Sequence, residues 1–318
     1  MQQDSIPLVS VIIVNWNGRD WLETCLPTLA AQTFRDFEVV VVDNGSTDGS
    51  IDWLKKEWPQ VRVLPQAENL GFAVGNNCGI QASSGPYIVT LNNDTRLDAE
   101  FLAEMVTAVE TSSLPKTGMV AAQIVRWQQP DLLDSAGIEV DWAGIAWNRG
   151  WQQPVATANQ LCEVFGPSGA AALYRRDMLD DISLFDADFF CYYEDVDLAW
   201  RGQRAGWTCL YAPKARVHHW HSATAVSVPA FKTTMLGRNK MWTIVKNYAW
   251  PAFIWALPLI IVYDAAAILK SFWQTRSLAA LRGRCAALRK LWVMCAKRVP
   301  AQKVVALQRP YPFKQRTM

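Results

Sequence analysis

The stretch Tyr192-Tyr193-Glu194-Asp195-Val196-Asp197-Leu198-Ala199-Trp200 sets three carboxylates inside an aromatic and aliphatic frame. An exposed loop would dilute such acids with Lys, Ser or Gly, and a core strand would omit them. A carboxylate in these surroundings can take a proton from a hydroxyl, and aromatic neighbours that exclude water raise its pKa by desolvation. The competing use of acids here is a helix start, where the N-terminal dipole favours negative charge. For Asp197 a plainer use is stronger. Arg201 follows four residues later, which makes an ordinary i,i+4 pair on a helix over roughly 196–205.

Three further polar clusters follow apolar runs: Asn15-Trp16-Asn17, Asp43-Asn44 and Asn92-Asn93-Asp94. An Asp there can accept a hydrogen bond from a pyrimidine N–H, and an indole such as Trp16 can stack on the base. An Asn/Asp pair can hold a hard divalent cation through oxygen, and the cation can hold a diphosphate. Asn and Asp also favour turns after strands, so each cluster alone has a second explanation. Neither G-x-G-x-x-G after the first run nor G-x-x-x-x-G-K-[ST] anywhere is present, which removes the main support for dinucleotide and P-loop sites. His218-His219-Trp220-His221 gathers all three histidines of the chain, yet no acid or Cys lies close enough in sequence to complete a zinc site. Gly166-Pro167-Ser168-Gly169-Ala170-Ala171 is small enough for backbone N–H groups to approach a sugar or phosphate; a tight turn needs the same residues.

The elements that must position these residues read as α/β. Leu8–Val14, Phe37–Val42 and Tyr87–Leu91 are short, β-branched-rich apolar runs, as strands buried on both faces should be, and Val61–Leu64 is a fourth. Helical spacing over Arg19–Gln32, Ile51–Trp58 and Phe72–Ser83 alternates with them. This alternation predicts a mostly parallel, doubly wound sheet, and ligands of such sheets bind beyond the C-terminal strand ends. That rule selects the three polar clusters.

Of 318 residues 51% are hydrophobic, including 16 Trp, enough for a substantial core. Seven scattered Cys without a C-x-x-C pair argue for a reducing compartment and against a disulfide framework. The first residues lack the basic start and long apolar core of a secretory signal. The net charge of +2 conceals an asymmetry. All 29 acids lie in residues 1–264 against 19 Lys/Arg, whereas residues 265–318 hold 12 Lys/Arg and no acid. Ala249–Tyr263 is uncharged, but a span of about 20 apolar residues would have to bury Asp264, with Pro251 and Pro258 also in the way. A shallow, re-entrant or body-packed helix is therefore expected. Beyond it, Arg282, Arg284, Arg289, Lys290, Lys297 and Arg298 interleave with apolar residues, the composition of an interfacial helix on anionic lipid rather than of a nucleic-acid module.

Taken together, VSVIIVNWNGRDWLETCL, VVVVDNGSTDGS, ENLGFAVGNNCGI, YIVTLNNDT, GPSGAAALYRR and LFDADFFCYYEDVDLAWRGQRAGW resemble family 2 glycosyltransferases, most of all the bacterial rhamnosyltransferase-like members, over about residues 8–224. The resemblance implies the GT-A fold of nucleotide-sugar transferases. It implies contacts from Asn15 and Trp16 to the nucleoside, from Asp43 to the base, and a nucleotide pocket lined by Asn69, Asn77 and Asn93. Asp94 matches the last acid of the family's D-x-D-like motif for Mg²⁺ or Mn²⁺. Asn92 stands where that motif often has Asp, leaving one anionic ligand. In the V-x-H-x-x-S setting of Val217, His219 and Ser222, His219 completes the metal shell, with His221 as second choice. Asp195 matches the catalytic base, and Glu194 and Gly169 the acceptor or sugar side.

The implied activity is an inverting transfer from a dTDP- or UDP-linked sugar, with dTDP-rhamnose leading, to a glycan or polyprenyl-diphosphate-linked acceptor at the cytoplasmic face of the inner membrane. Residues 1–240 would form the catalytic domain and 241–318 a membrane-associating region. Two rivals stand beside this reading: a transferase that loads sugar onto polyprenyl phosphate, and a non-enzymatic membrane adaptor with a degenerate nucleotide pocket.

Overall fold

Val9–Asn15 (β1) is buried along almost its whole length because both of its faces are covered. Ile12 points into one apolar core with Val40 and Val42, while Val9, Val11 and Ile13 point into a second with Val41. The two-residue period of a strand thus divides the chain's apolar residues between two layers of helices. The computed structural model describes residues 6–220, 229–298 and 305–307.

In chain order, β1 is followed by α1 (Arg19–Ala30), β2 (Phe37–Asp43), α2 (Ser50–Glu57), β3 (Arg62–Pro65), α3 (Gly71–Ala82) and β4 (Tyr87–Asn92). Then come β5 (Thr95–Leu97), α4 (Phe101–Glu110), β6 (Thr117–Arg126), β7 (Gln129–Ser135), the hairpin β8 (Ile138–Val140) and β9 (Ala146–Asn148), and β10 (Cys162–Val164). β11 (Ala171–Arg175), α5 (Arg176–Ile182), α6 (Glu194–Arg204) and β12 (Thr208–His219) complete the sheet. The strand order is β10-β12-β6-β11-β4-β1-β2-β3, with β5 on β12 and β7 on β6.

Strands β3, β2, β1 and β4 are parallel, as the sequence pattern requires. The sheet as a whole is mixed rather than mostly parallel, because β11 runs antiparallel to both β4 and β6. The reversal has a positional consequence. Ala171 opposes Leu91, so the start of β11 meets the C-terminal end of β4 and delivers the Gly169 loop to the edge where β1, β2 and β4 end.

Beyond β12 the chain is helical: α7 (Pro229–Asn247), α8 (Trp250–Thr275), α9 (Ala279–Leu288) and α10 (Leu291–Ala296). The boundary expected at 240/241 falls inside α7, a continuous helix that packs on α6 and α9. Beside Trp242 and Ile244, its buried residues include five polar ones, Asn239, Lys240, Thr243, Lys246 and Asn247. The basic tail also differs from the single interfacial helix that its composition suggests. Arg284 bonds Asp264, Lys290 bonds Asp188, Lys297 bonds Asp186 and Asp188, and Arg298 reaches the carbonyls of Val245 and Tyr248. Four of the six basic residues singled out there are turned onto the body. No disulfide is formed; all seven cysteines are free thiols.

Candidate active site

The strand ends converge as the winding rule requires. Asn15 pairs in register with Asp43, and Val14 with Asn92, so the polar residues of β1, β2 and β4 stand at one level. Asn15 is the hub. Its Nδ2 donates to Asp43 Oδ2 at 3.0 Å and its Oδ1 accepts from Asn93 Nδ2 at 2.7 Å. Asp43 has no exposed surface and spends its other oxygen on the Ser46 N–H at 2.9 Å. Asn17, held at a positive φ of 49°, accepts from Thr47 N at 2.7 Å and so stitches the β1–α1 loop to the β2–α2 loop. Trp16 stands above this network with 43% of its surface exposed, an indole face offered to a flat ligand.

Gly18 is required by space. A Cβ there would lie 2.2 Å from Asn93 Nδ2 and 2.7 Å from Asn15 Oδ1. Gly18→Ala is therefore expected to break the Asn93–Asn15 bond and weaken nucleotide binding about tenfold, roughly the net worth of one hydrogen bond. Titration calorimetry with a nucleoside diphosphate checks this.

Asn69 and Asn77 act on the neighbouring turn. Asn69 Oδ1 accepts from Gly71 N at 2.9 Å and lies 3.4 Å from Asn44 Nδ2. Asn77 places both ends of its amide on the backbone of Phe185, at 2.8 and 3.1 Å. Its side chain thus holds the segment that leads to the acidic cluster, while Asn15 and Asn93 hold the strand ends.

One corner of the edge is built by Asn92, Asp94 and His219. Pairing of β12 with β5 sets His219 opposite Thr95, next to Asp94. His219 Nε2 lies 3.3 Å from Asp94 Oδ1 and 3.4 Å from Asn92 Nδ2, and its Nδ1 is 2.6 Å from Asp134 Oδ2. Asp134, on β7, was not visible in the sequence reading. Burial opposes a charge on His219, but hydrogen bonds and charge from Asp134 and Asp94 outweigh it and hold the imidazolium up to about 10. His218 points the other way on the strand, to Asp98 at 3.2 Å, and His221 and Ser222 lie outside the described residues.

The donor set suits a hard divalent cation in part. Asp94 Oδ1 is buried and takes no well-directed hydrogen bond among the described residues, and with Asp134 on Nδ1 a cation that displaces the Nε2 proton would find that nitrogen free as a ligand. Among the described residues no three His, Cys, Asp or Glu side chains form a metal cage. Asp94 and His219 supply two ligands, and further oxygens must come from water or substrate.

The other corner carries the acids. Asp195 lies in the first turn of α6, partly exposed. Its Oδ2 accepts from Gly169 N at 2.9 Å and its Oδ1 from Val196 N at 2.8 Å. Burial raises its pKa, against the lowering effect of those N–H groups. Glu194 is buried, has no hydrogen bond to Oε2 among the described residues, and is pushed well above the carboxylate range by burial and then by the charge of Asp195. The chain before them is strained: Phe190, Tyr192 and Tyr193 all have φ of 66–68°. What holds it is Asn239 of α7, whose Nδ2 lies within 3.0 Å of the carbonyls of Phe189, Cys191 and Tyr192. Asp197 faces away from this corner and is structural. It pairs with Arg201 at 2.9 Å as the i,i+4 spacing implies, and also with Lys246 and Asn247.

The two corners adjoin. Asn92 N donates to Ala170 O at 2.9 Å, so the loop whose Gly169 holds Asp195 abuts the strand end that bears Asn92, Asn93 and Asp94. One edge thus joins an exposed indole, a carboxylate–imidazole pair and a partly buried carboxylate with a raised pKa.

The family model for glycosyl transferase family 2 matches residues 10–183, more than half of the chain and the whole strand-end network. The chain belongs to glycosyl transferase family 2. Among relatives of this glycosyltransferase, the N-acetylglucosaminyl-diphospho-decaprenol L-rhamnosyltransferase of Mycobacterium tuberculosis (strain ATCC 25618 / H37Rv) is 27% identical over 246 residues, covering 70% of this chain and 79% of the relative. The O-antigen biosynthesis protein RfbC of Myxococcus xanthus is 26% identical over 232 residues, which are 69% of this chain but 18% of that longer protein. Two solved structures share the fold. The mannosyltransferase PcManGT from Pyrobaculum calidifontis, in complex with GDP-Man and Mn²⁺, has a TM-score of 0.57 at 20% identity, over 92% of this chain and 85% of its own. S. aureus TarS 1-349 has a TM-score of 0.59 at 16% identity, over 90% and 80%. The glycosyltransferase is thus a GT-A enzyme with a mixed α/β sheet and a helical C-terminal region.

Proposed function

We propose that this glycosyltransferase moves a sugar, with inversion, from a nucleoside-diphosphate donor to a hydroxyl of a lipid-linked glycan, and that dTDP-rhamnose is the leading donor. The observation that supports the reading is the junction of the two corners through Asn92 and Ala170, which joins the loop bonded to Asp195 to the strand end that leads to Asp94. Trp16 stacks on the base, while Asn15, Asp43 and Asn93 fix the wall it rests on. Asp195 takes the proton of the acceptor hydroxyl as that oxygen bonds to the anomeric carbon, and the bond from that carbon to the diphosphate breaks on the opposite face. Glu194 and the Gly169 N–H border the acceptor and sugar. Mg²⁺ or Mn²⁺ bound by Asp94 and His219 would neutralise charge on the departing diphosphate. The acceptor class follows the mycobacterial relative, whose name specifies a diphospho-decaprenol-linked sugar. Such an acceptor places the enzyme at the cytoplasmic face of the membrane. A transferase acting on bare polyprenyl phosphate is the second reading; it differs in needing no sugar on the lipid.

A thermal-shift screen of nucleoside-diphosphate sugars, with and without Mn²⁺, tests the donor side. A ligand at a hundred times its Kd adds about 2.7 kcal/mol of stability. One dTDP- or UDP-sugar is expected to give a shift that Mn²⁺ increases, with the Mn²⁺ increment absent in Asp94→Ala. Absence of any shift on folded protein would contradict the proposal.

A further inference from the structure

Helix α8 is inside out. Its one acid, Asp264, is buried and held by Arg284 of α9 at 2.7 Å and Lys240 of α7 at 3.3 Å. Its outward side is apolar: Ile254, Ile261, Val262, Leu269 and Trp273 are exposed, and Trp255 is 86% exposed. A solvent-facing helix of a globular protein has the opposite arrangement, and a contiguous apolar surface of this kind marks a contact with another apolar phase. Composition and length alone, 26 largely apolar residues, also admit a helix that crosses a bilayer.

The attachments of α8 choose between these. Its start is tied to the body where Phe253 packs on Tyr248, whose own ring packs on Trp200 of α6. Its middle is tied through Asp264, and its end turns directly into α9, which packs along α7. A helix fastened at the start, middle and end to one folded body cannot carry its midpoint to the centre of a bilayer while that body stays in water. Around its C-terminal end stand Lys270, Arg276 and Arg282, all exposed and with no ion pair among the described residues, in a region that holds no acid after Asp264. That charge complements an anionic surface.

We infer that α8 lies in the plane of an anionic lipid leaflet, its Trp255–Ile261–Trp273 side sunk among the acyl chains, and that it does not span the bilayer. The inference rests on the proposal that the acceptor is lipid-linked, because it gives the active site a fixed approach to that leaflet.

The test uses the purified full chain, without nucleotide, in flotation with vesicles of phosphatidylglycerol and phosphatidylethanolamine or of phosphatidylcholine alone. Wild type is expected to float with the anionic vesicles at least tenfold more than with the neutral ones. The double variant Trp255→Glu/Ile261→Glu should stay at the bottom while keeping the wild-type melting temperature and nucleotide affinity. Ala249→Cys and Ser277→Cys, made singly and expressed in a bacterial host, are then labelled with an impermeant maleimide on sealed inside-out vesicles, the modified site being read by peptide mass. Labelling of both flanks supports the in-plane helix, and protection of either until detergent is added overturns it. Flotation unaffected by the double variant overturns the assigned face. A soluble dimer lost in that variant, with no flotation of wild type, assigns the face to a second copy instead. Since flotation involves no donor, its failure is separable from failure of the transferase reading, which would appear as absent nucleotide binding.

Discussion

Replacing Asp195 with Asn is expected to lower kcat by about 10²–10⁴-fold, the usual contribution of a positioned general base, while leaving nucleotide affinity within about twofold. The substitution keeps the side chain's shape and an oxygen for the Gly169 N–H, which Asp195 now holds at 2.9 Å. It removes the ability to take a proton, together with the oxygen that accepts from the Val196 N–H. The same carboxylate sets the acid limb of the pH profile. Burial raises its pKa, with the N–H groups of Gly169 and Val196 opposing, and the group must be ionised to work. Activity should therefore fall as pH drops through a value above that of an ordinary Asp, and rise again with pH. Glu194, buried next to it, titrates with it, so the observed limb belongs to the pair. Steady-state rates across pH, with nucleotide binding as control, measure both effects. An Asp195→Asn enzyme with wild-type kcat would remove Asp195 from the chemistry.

Lys246→Met is expected to cost about 3–5 kcal/mol of stability, because it removes one partner of a buried ionic cluster and leaves the others charged. Lys246 Nζ sits 2.6 Å from Asp186 and 2.9 Å from Asp197, and all three side chains are almost fully covered. Met fills similar volume, so the loss reports charge more than packing. In a chain of this size the melting temperature should drop by roughly 10 °C. A pH series separates the causes. Burial would raise the Asp186 carboxyl, but Lys246 and Lys297 outweigh it and hold it at about 2; Asp197 is likewise lowered, by Lys246 and Arg201 against its burial. Carboxylates depressed on folding stabilise the protein above their unfolded pKa and lose that contribution as pH falls through the folded one. The difference between wild type and Lys246→Met should thus shrink between pH 4 and pH 2. A penalty independent of pH would make Lys246 a packing residue.

The strand-end network was legible because its parts lie beside their own signals. Asn15, Asp43 and Asn92 each close a run of β-branched residues, and the winding rule does the rest. Asp195 was legible as an acid in an aromatic frame. The pairing of Asp197 with Arg201 was legible from spacing alone, though its two further partners come from α7, 49 and 50 residues away. Asp134 and Asn239 were not legible, since each gains its role from a contact across 85 or about 50 residues. A signal for Asn239 did exist. Asn239, Thr243, Lys246 and Asn247 recur at helical spacing, but a polar stripe on a helix is ordinarily its solvent face. In α7 that stripe faces inward to meet acids and strained carbonyls, and in α8 the apolar side faces outward. Helix α8 inverts the pattern on which sequence reading depends, and α7 breaks it by burying polar residues beside Trp242 and Ile244. The direction of β11 was hidden for a related reason: nothing in Ala171–Arg175 records which neighbour it will pair with, and it is this reversal that brings Gly169 to Asp195.

The measurement that tests the central claim most directly is the anomeric configuration of the first-formed product, read by proton NMR. The enzyme is supplied with the donor found in the binding screen, Mn²⁺ and a polyprenyl-diphosphate-linked sugar. A single carboxylate that deprotonates the acceptor while the diphosphate leaves from the opposite face requires inversion at the anomeric carbon, and this account expects the inverted anomer alone. A product that keeps the donor's configuration would contradict it.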